Sequence, residues 1–289
     1  MNKLPLEKKK QIINLLIEGS SLRSISRICD VSINTVTKIL VETGKACEKL
    51  HNETVTNIKA ARVQTDEIWS FVYVKENAPE GMEDKAGDLW TWTALDTDSK
   101  MIVSWFVGNR DAESANIFMH DIAVRLANKV QLKTDGFRSY LDAVEDNFDG
   151  DIEFVQLVKL YGSLDDVHEK RYSPAEYTGQ IKKTIAGNPH EKFISISYFE
   201  RQNLTMRMHI RRFTRLTNTS SKKIENHCYA IALHFVYYNF CKIHKSLSVT
   251  PAMQMGLMKK PMTLEDIAVL SDIQAPKENR RYKKKEKTE

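Results

Sequence analysis

The chain has 289 residues, with 43 Lys and Arg against 38 Asp and Glu and 42% hydrophobic residues, enough for one large or two modest domains around a substantial core. No apolar run approaches the roughly 20 residues that span a bilayer, and the N-terminus lacks the apolar stretch of a signal peptide. The expectation is a soluble cytoplasmic chain rather than a membrane or secreted one.

Cys29, Cys47, Cys228 and Cys241 show no zinc-ligand spacing and read as reduced, mostly buried thiols. The net charge of +5 says little by itself, but its distribution is uneven. The C-terminal "KENRRYKKKEKTE" is strongly basic and reads as a disordered tail. The stretch from Ser197 to Lys223 holds one acid, Glu200, followed only by basic charges. Segregated positive charge suits a polyanionic partner, although a charge run also fits a plain solvated face.

Taken in chain order, "PLEKKKQIINLLIEG" predicts a helix with Ile12, Ile13, Leu16 and Ile17 at helical spacing, ending at Gly19. A short helix carrying Leu22, Ile25 and Ile28 follows and breaks at Asp30-Val31. Ser32 then caps a third helix bearing Ile33, Val36, Ile39 and Leu40. This spacing matches a helix-turn-helix, with Ser32, Asn34, Thr35 and Lys38 on the solvent side of the second helix, available to bases and phosphates. The alternative is a three-helix bundle for protein contacts.

Residues 51–62 read as a connector, and the texture changes after it. "VQTDEIWSFVYVK", "DLWTWTALDT" and "KMIVSWFVGN" are rich in β-branched and aromatic residues and predict three antiparallel strands. A helix over "DAESANIFMHDIAVRLAN", a short strand "VQLKTD", a helix over "GFRSYLDAVEDNF" and a strand "IEFVQLVKLYG" follow. The polar segment "SLDDVHEKRYSPAEYTGQIKKTIAGNPHEK" reads as a flexible or DNA-facing insertion before a last long helix. Strand–helix–strand passes exclude an all-antiparallel sheet and predict an α/β mixed sheet with helices on its faces, in ribonuclease H-like order.

Three carboxylates stand out on this frame: one in "TDEIW", Asp135 at the end of "LKTD", and Glu200 at the start of the last helix. Asp66 and Glu67 point to opposite strand faces, so only one is expected in a cluster, and parity does not choose between them. Clustered carboxylates raise one another's pKa, and a divalent cation relieves the repulsion; Mg²⁺, or Mn²⁺, takes hard oxygen ligands. On the last helix, Glu200, Asn203, Arg207 and Arg211 share one face. Asp96 and Asp98 read as turn residues, and the four Trp as core. His209 and His244 read as packing or surface histidines.

"TDEIWSFV", "KTDGFRSY" and "ERQNLTMRMHIRRFTRLTNTSSKK", in that order, resemble the DDE transposases of the insertion sequence one family. "YYNFCKIHKSLSVTPAM" resembles the Y-N-x-x-x-x-H-x-x-L-x-x-x-P ending common among such enzymes. The resemblance implies Asp66, Asp135 and Glu200 as metal-binding catalytic acids with two ions per site, and Arg201 beside the last acid fits the same pattern. Asp165, Asp166 and Glu169 are lesser rivals for the third position. Arg201, Arg207, Arg211, Arg212 and Arg215 are then expected on DNA. The archetype's N-terminal zinc module is missing, which leaves end recognition to the helix-turn-helix.

The implied organisation is a helix-turn-helix over 1–50, a linker over 51–62, a ribonuclease H-like catalytic domain over 63–247, and a helical segment with basic tail over 248–289. The implied partners are terminal inverted repeats and target DNA, bound by a homo-oligomer associated with the nucleoid of a prokaryote. A nuclease that cuts without joining, and a non-catalytic DNA-binding regulator, are the competing readings.

Overall fold

The computed structural model describes residues 4–73, 87–161, 177–190, 197–213 and 220–274. Three helices open the chain: α1 (Leu6–Ile17), α2 (Leu22–Ile28) and α3 (Ile33–Thr54). The side chains of Ser21 and Ser32 accept from the backbone N–H of Ser24 and Thr35, capping α2 and α3. The turn between α2 and α3 closes through Asp30 at φ 46, a left-handed conformation that Asp tolerates. Ser26 Oγ donates to the Val31 carbonyl across the same turn, at 2.6 Å.

The predicted connector starts inside α3, which runs on to Thr54 and buries His51, whose Nε2 meets the Val103 carbonyl at 3.1 Å. Gly44 lies in the middle of this helix. There α3 crosses α7 (Ile224–Val236), and a Cβ on Gly44 would lie 2.3 Å from the Cβ of Tyr229. Glycine is required by that close approach.

The sheet has six strands: β1 (Arg62–Val72), β2 (Gly87–Asp96), β3 (Ile102–Gly108), β4 (Gln131–Asp135), β5 (Glu153–Tyr161) and β6 (Tyr177–Ala186). Their order is β3-β2-β1-β4-β5-β6, with β1, β4 and β5 parallel and the others antiparallel to their neighbours. The mixed sheet and its flanking helices agree with the expected ribonuclease H-like layout. β6 is a strand that the sequence did not suggest, because its residues fall in the segment read as a flexible or DNA-facing insertion. Most of its side chains are exposed, so it lacks the alternating apolar signal of a half-buried strand.

The helices α4 (Ala112–Arg125) and α5 (Ser139–Phe148) cover one face, where Phe118 and Tyr140 pack on Trp92 at 5.8 and 5.6 Å between ring centroids. On the other face Met206, Phe213, Ile231 and Phe235 pack with Ile68. Met206 belongs to α6 (Ser197–His209), which is shorter than predicted. Arg211–Phe213 form a separate 3₁₀ turn, so Arg211 does not continue the face of Asn203. The carbonyl of His209, where α6 ends, would lie 2.7 Å from a Cβ on Gly19, which has φ +73. Only glycine fits there.

The Y-N ending follows α7 as a π-helical turn (Tyr237–Cys241). Asn239 is fully buried; it accepts from the Ile102 N–H at 2.9 Å and donates to the Ile102 carbonyl at 2.8 Å. A side-chain amide thus stands in for a strand partner at β3, the sheet edge. Thr250 caps α8 (Pro251–Gln254), whose first residue is proline, and α9 (Leu264–Gln274) returns to the N-terminal helices. There Lys9 Nζ donates to Asp272 Oδ1 at 2.6 Å and to the Ala268 carbonyl at 3.0 Å. One continuous apolar core runs from Ile12 and Ile13 through Leu40 and Leu233 to Trp92 and Phe118.

Candidate active site

β1 and β4 are parallel neighbours in the register Gln64↔Lys133, which places Asp66 level with Asp135 two residues on. Strands in a sheet lie about 4.8 Å apart, so the two acids are held close by backbone pairing alone. They line a cleft of about 470 Å³ with Thr65, Lys133, Phe137 and Lys159.

One carboxylate oxygen from each of Asp66, Glu67 and Asp135 lies within 4.8 Å of the other two. The expectation that only one of Asp66 and Glu67 could join the cluster is therefore corrected. β4 ends at Asp135, whereas β1 continues to Val72. Past Asp66 that flank of β1 meets, among the described residues, only a bridge from Val72 to Ser221, and the longer Glu67 side chain reaches the cluster.

Each acid has its own set of partners. Asp66 Oδ2 accepts from Asn203 Nδ2 of α6 at 2.7 Å. Asp135 Oδ1 accepts from the Phe137 N–H at 2.9 Å, and Oδ2 from Arg110 Nη2 at 3.1 Å. Glu67 accepts from Arg110 Nε at 3.2 Å and from the Tyr140 hydroxyl. Arg110 also stacks over the Phe137 ring at 4.2 Å. Asn203 shared a predicted face with Glu200, but sequence reasoning missed Arg110 and Tyr140. Arg110 follows a strand in a short loop, where no periodicity marks it.

Electrostatically the cluster is strained. Burial, with Asp135 adding to it, pushes the Asp66 carboxyl up to about 6, although Asn203 and a backbone N–H resist. Burial and Asp135 push Glu67 up to about 8, against the opposing pull of Tyr140 and Arg110. Three converging carboxylates, with burial disfavouring the charged forms of Asp66 and Glu67, fit a hard divalent cation such as Mg²⁺ or Mn²⁺, and the set contains no thiolate or imidazole of the kind zinc prefers.

The remaining sequence candidates are placed as follows. Glu200 and Arg201 lie in α6, three and two residues before Asn203, and their side chains fall outside the described residues. So do Arg215, the rivals Asp165, Asp166 and Glu169, and the basic tail. Arg207 is half-buried and Arg211 exposed. Arg212 is half-buried, its Nε donating to Ser221 Oγ at 2.5 Å, and burial lowers its pKa to about 10. Near the N-terminus Asn34 and Lys38 are exposed, Lys38 lying 3.6 Å from Glu42, while Ser32 and Thr35 bond each other at 2.9 Å. Asp96 accepts from the Ser99 N–H at 2.8 Å, a turn role as expected. His209 stacks on His234 with centroids 6.1 Å apart, and His244 packs edge-on against Tyr238. None of the described helices is long and apolar enough to cross a membrane.

No family model matches the chain, and no curated protein matches it. Among solved structures it is similar to the Mos1 mariner paired end complex with Mn, at 13% identity and a TM-score of 0.21. The match covers 52% of this chain and 58% of that one, and so shallow an overlap says nothing of what this chain does.

Proposed function

We propose that this chain is a DNA transposase of the DDE type, related to the insertion sequence one family, which cleaves at the ends of its element and joins 3′-OH ends to target DNA. The observation that carries the reading is the register that sets Asp66 level with Asp135 on adjacent parallel strands, with Asn203 of α6 bonded to Asp66. Asp66, Asp135 and Glu200 are the proposed ligands of two Mg²⁺ or Mn²⁺ ions. When bound, these would supply Lewis-acid polarisation of the phosphodiester and lower the pKa of an attacking water or hydroxyl.

The chain's own residues do the rest. Asn203 fixes the Asp66 carboxylate, and the Phe137 N–H fixes that of Asp135. Arg201, Arg207, Arg211, Arg212 and Arg215 are the proposed phosphate contacts, giving an affinity that falls steeply with salt. The α2–turn–α3 pair acts as a helix-turn-helix, presenting Ser32, Asn34, Thr35 and Lys38 to the terminal repeats. Two element ends must meet, so the working form is a homo-oligomer on DNA, free of any membrane and associated with the nucleoid.

The test is transfer of a labelled element end, taken from the DNA flanking the gene, into plasmid in the presence of Mg²⁺. Joined product from the wild type and none from Asp66→Ala or Glu200→Ala is the expected result. Cutting without joining would replace this reading by a nuclease, and binding without cutting by a regulator.

A further inference from the structure

Arg110 occupies an unusual position for a residue in a loop between β3 and α4. Its guanidinium donates from Nε to Glu67 at 3.2 Å and from Nη2 to Asp135 at 3.1 Å, so one fixed positive charge bridges two of the three clustered acids. The Glu67 side chain is 2% exposed, whereas those of Arg110 and Asp135 are 32% and 33% exposed. The Glu67 end of the bridge is sealed and the Asp135 end is open to the cleft.

The guanidinium also lies 4.2 Å over the Phe137 ring and 5.2 Å from the Trp90 ring. These aromatic contacts and the sealed Glu67 bond hold Arg110 in place whether or not Asp135 is its partner. Asp135, by contrast, keeps its orientation through the Phe137 N–H when Arg110 lets go.

We propose that Arg110 is the built-in counter-cation of the acid cluster: its charge competes with a divalent ion for Asp135 and sets how tightly the site takes that ion. This inference rests on the metal-site reading above. A divalent charge held by Asp135 sits within a few ångströms of the guanidinium, and repulsion at that range outweighs the loss of one half-exposed hydrogen bond. Before an ion binds, the same charge offsets the mutual repulsion of Glu67 and Asp135. Arg110 is thus a positioning residue whose removal strengthens metal binding, opposite in sign to the loss of a ligand.

The test is titration of the full chain with Mg²⁺ alone by isothermal calorimetry at pH 8.5, above the raised values of Asp66 and Glu67. The expected result is that Arg110→Gln binds Mg²⁺ at least ten-fold more tightly than the wild type, while Arg110→Lys, which keeps the charge, stays within a few-fold of it. Unchanged or weaker binding by a folded Arg110→Gln overturns the inference while leaving the metal site standing. A wild type that binds no Mg²⁺ overturns both.

A readout on the wild type needs no variant. Mg²⁺ should shift the side-chain ¹⁵N resonances of Arg110, and their indifference to saturating Mg²⁺ would also overturn the inference.

Discussion

Where α3 crosses α7, two helix backbones approach so closely that Gly44 has no room for a methyl group, and the same helices bury Leu40, Cys47 and Leu233 in the core. Where β1 meets β4, backbone pairing instead forces like charges together, and burial raises the pKa of Asp66 and Glu67 well above the carboxylate range. The first region gains stability from packing, whereas the second loses it to keep three oxygen donors converging. Such a division between a stabilising scaffold and a strained site is what a binding or catalytic centre requires. Substitutions in the two regions should therefore have opposite signatures.

The largest contrast is expected from Asp66→Asn. It removes a carboxylate whose charged form is disfavoured while leaving an amide oxygen to accept from Asn203. Metal-dependent DNA cleavage should fall on the order of 10³-fold, since the lost charge stabilisation is several kcal/mol. Stability, read by urea unfolding without metal, should rise by about 1 kcal/mol, the residual solvent contact of this half-buried group screening part of the gain. Gly44→Ala should behave in the opposite way, losing about 2–3 kcal/mol because the helices must separate, with Mg²⁺ affinity of the folded protein unchanged. Asn239→Ala should cost about 2 kcal/mol by orphaning both buried polar groups of Ile102 at the sheet edge, again without affecting the metal.

The pH dependence of stability separates the same two regions. Burial lowers His51, His227 and His234 from 6.5 to about 3, so the native state binds fewer protons than the unfolded chain below pH 6.5. Their contribution is present above pH 6.5 and is lost as pH falls toward 3. Glu67 and Asp66 have raised values of about 8 and about 6, so the native state there binds more protons, and acidification stabilises it through those values. Melting temperature in the absence of metal should therefore rise slightly from pH 9 to about 6.5 and fall below that. Glu67→Gln should flatten the alkaline limb and steepen the fall below it, and a profile unchanged by it would contradict the assignment of the alkaline limb to the cleft.

These contrasts also mark what was legible in the residues. The aromatic and β-branched runs gave away β1 to β3, and the Ser32 cap located the start of α3, because both are local signals. The close packing at Gly44 was not legible, since a tight crossing of α7, far off in sequence, is not a local property. β6 escaped because an exposed edge strand carries no core-facing alternation. Strand order brought Asp135 beside an acid of "TDEIW", and only the resemblance chose Asp66; that Glu67 also joins was not legible, since parity gives the face of a side chain and not its reach. Arg110 carries no pattern, and only the folded chain brings it between two acids.

The central claim is that Asp66 and Asp135 form the core of a divalent-metal site acting on DNA phosphodiesters. Its most direct test is strand cleavage of end-labelled DNA by the purified chain with and without Mg²⁺, for the wild type and for Asp66→Asn shown to be folded. The account predicts Mg²⁺-dependent cleavage by the wild type and its loss in the folded variant. Equal cleavage by both, or cleavage that persists in a metal chelator, would contradict it.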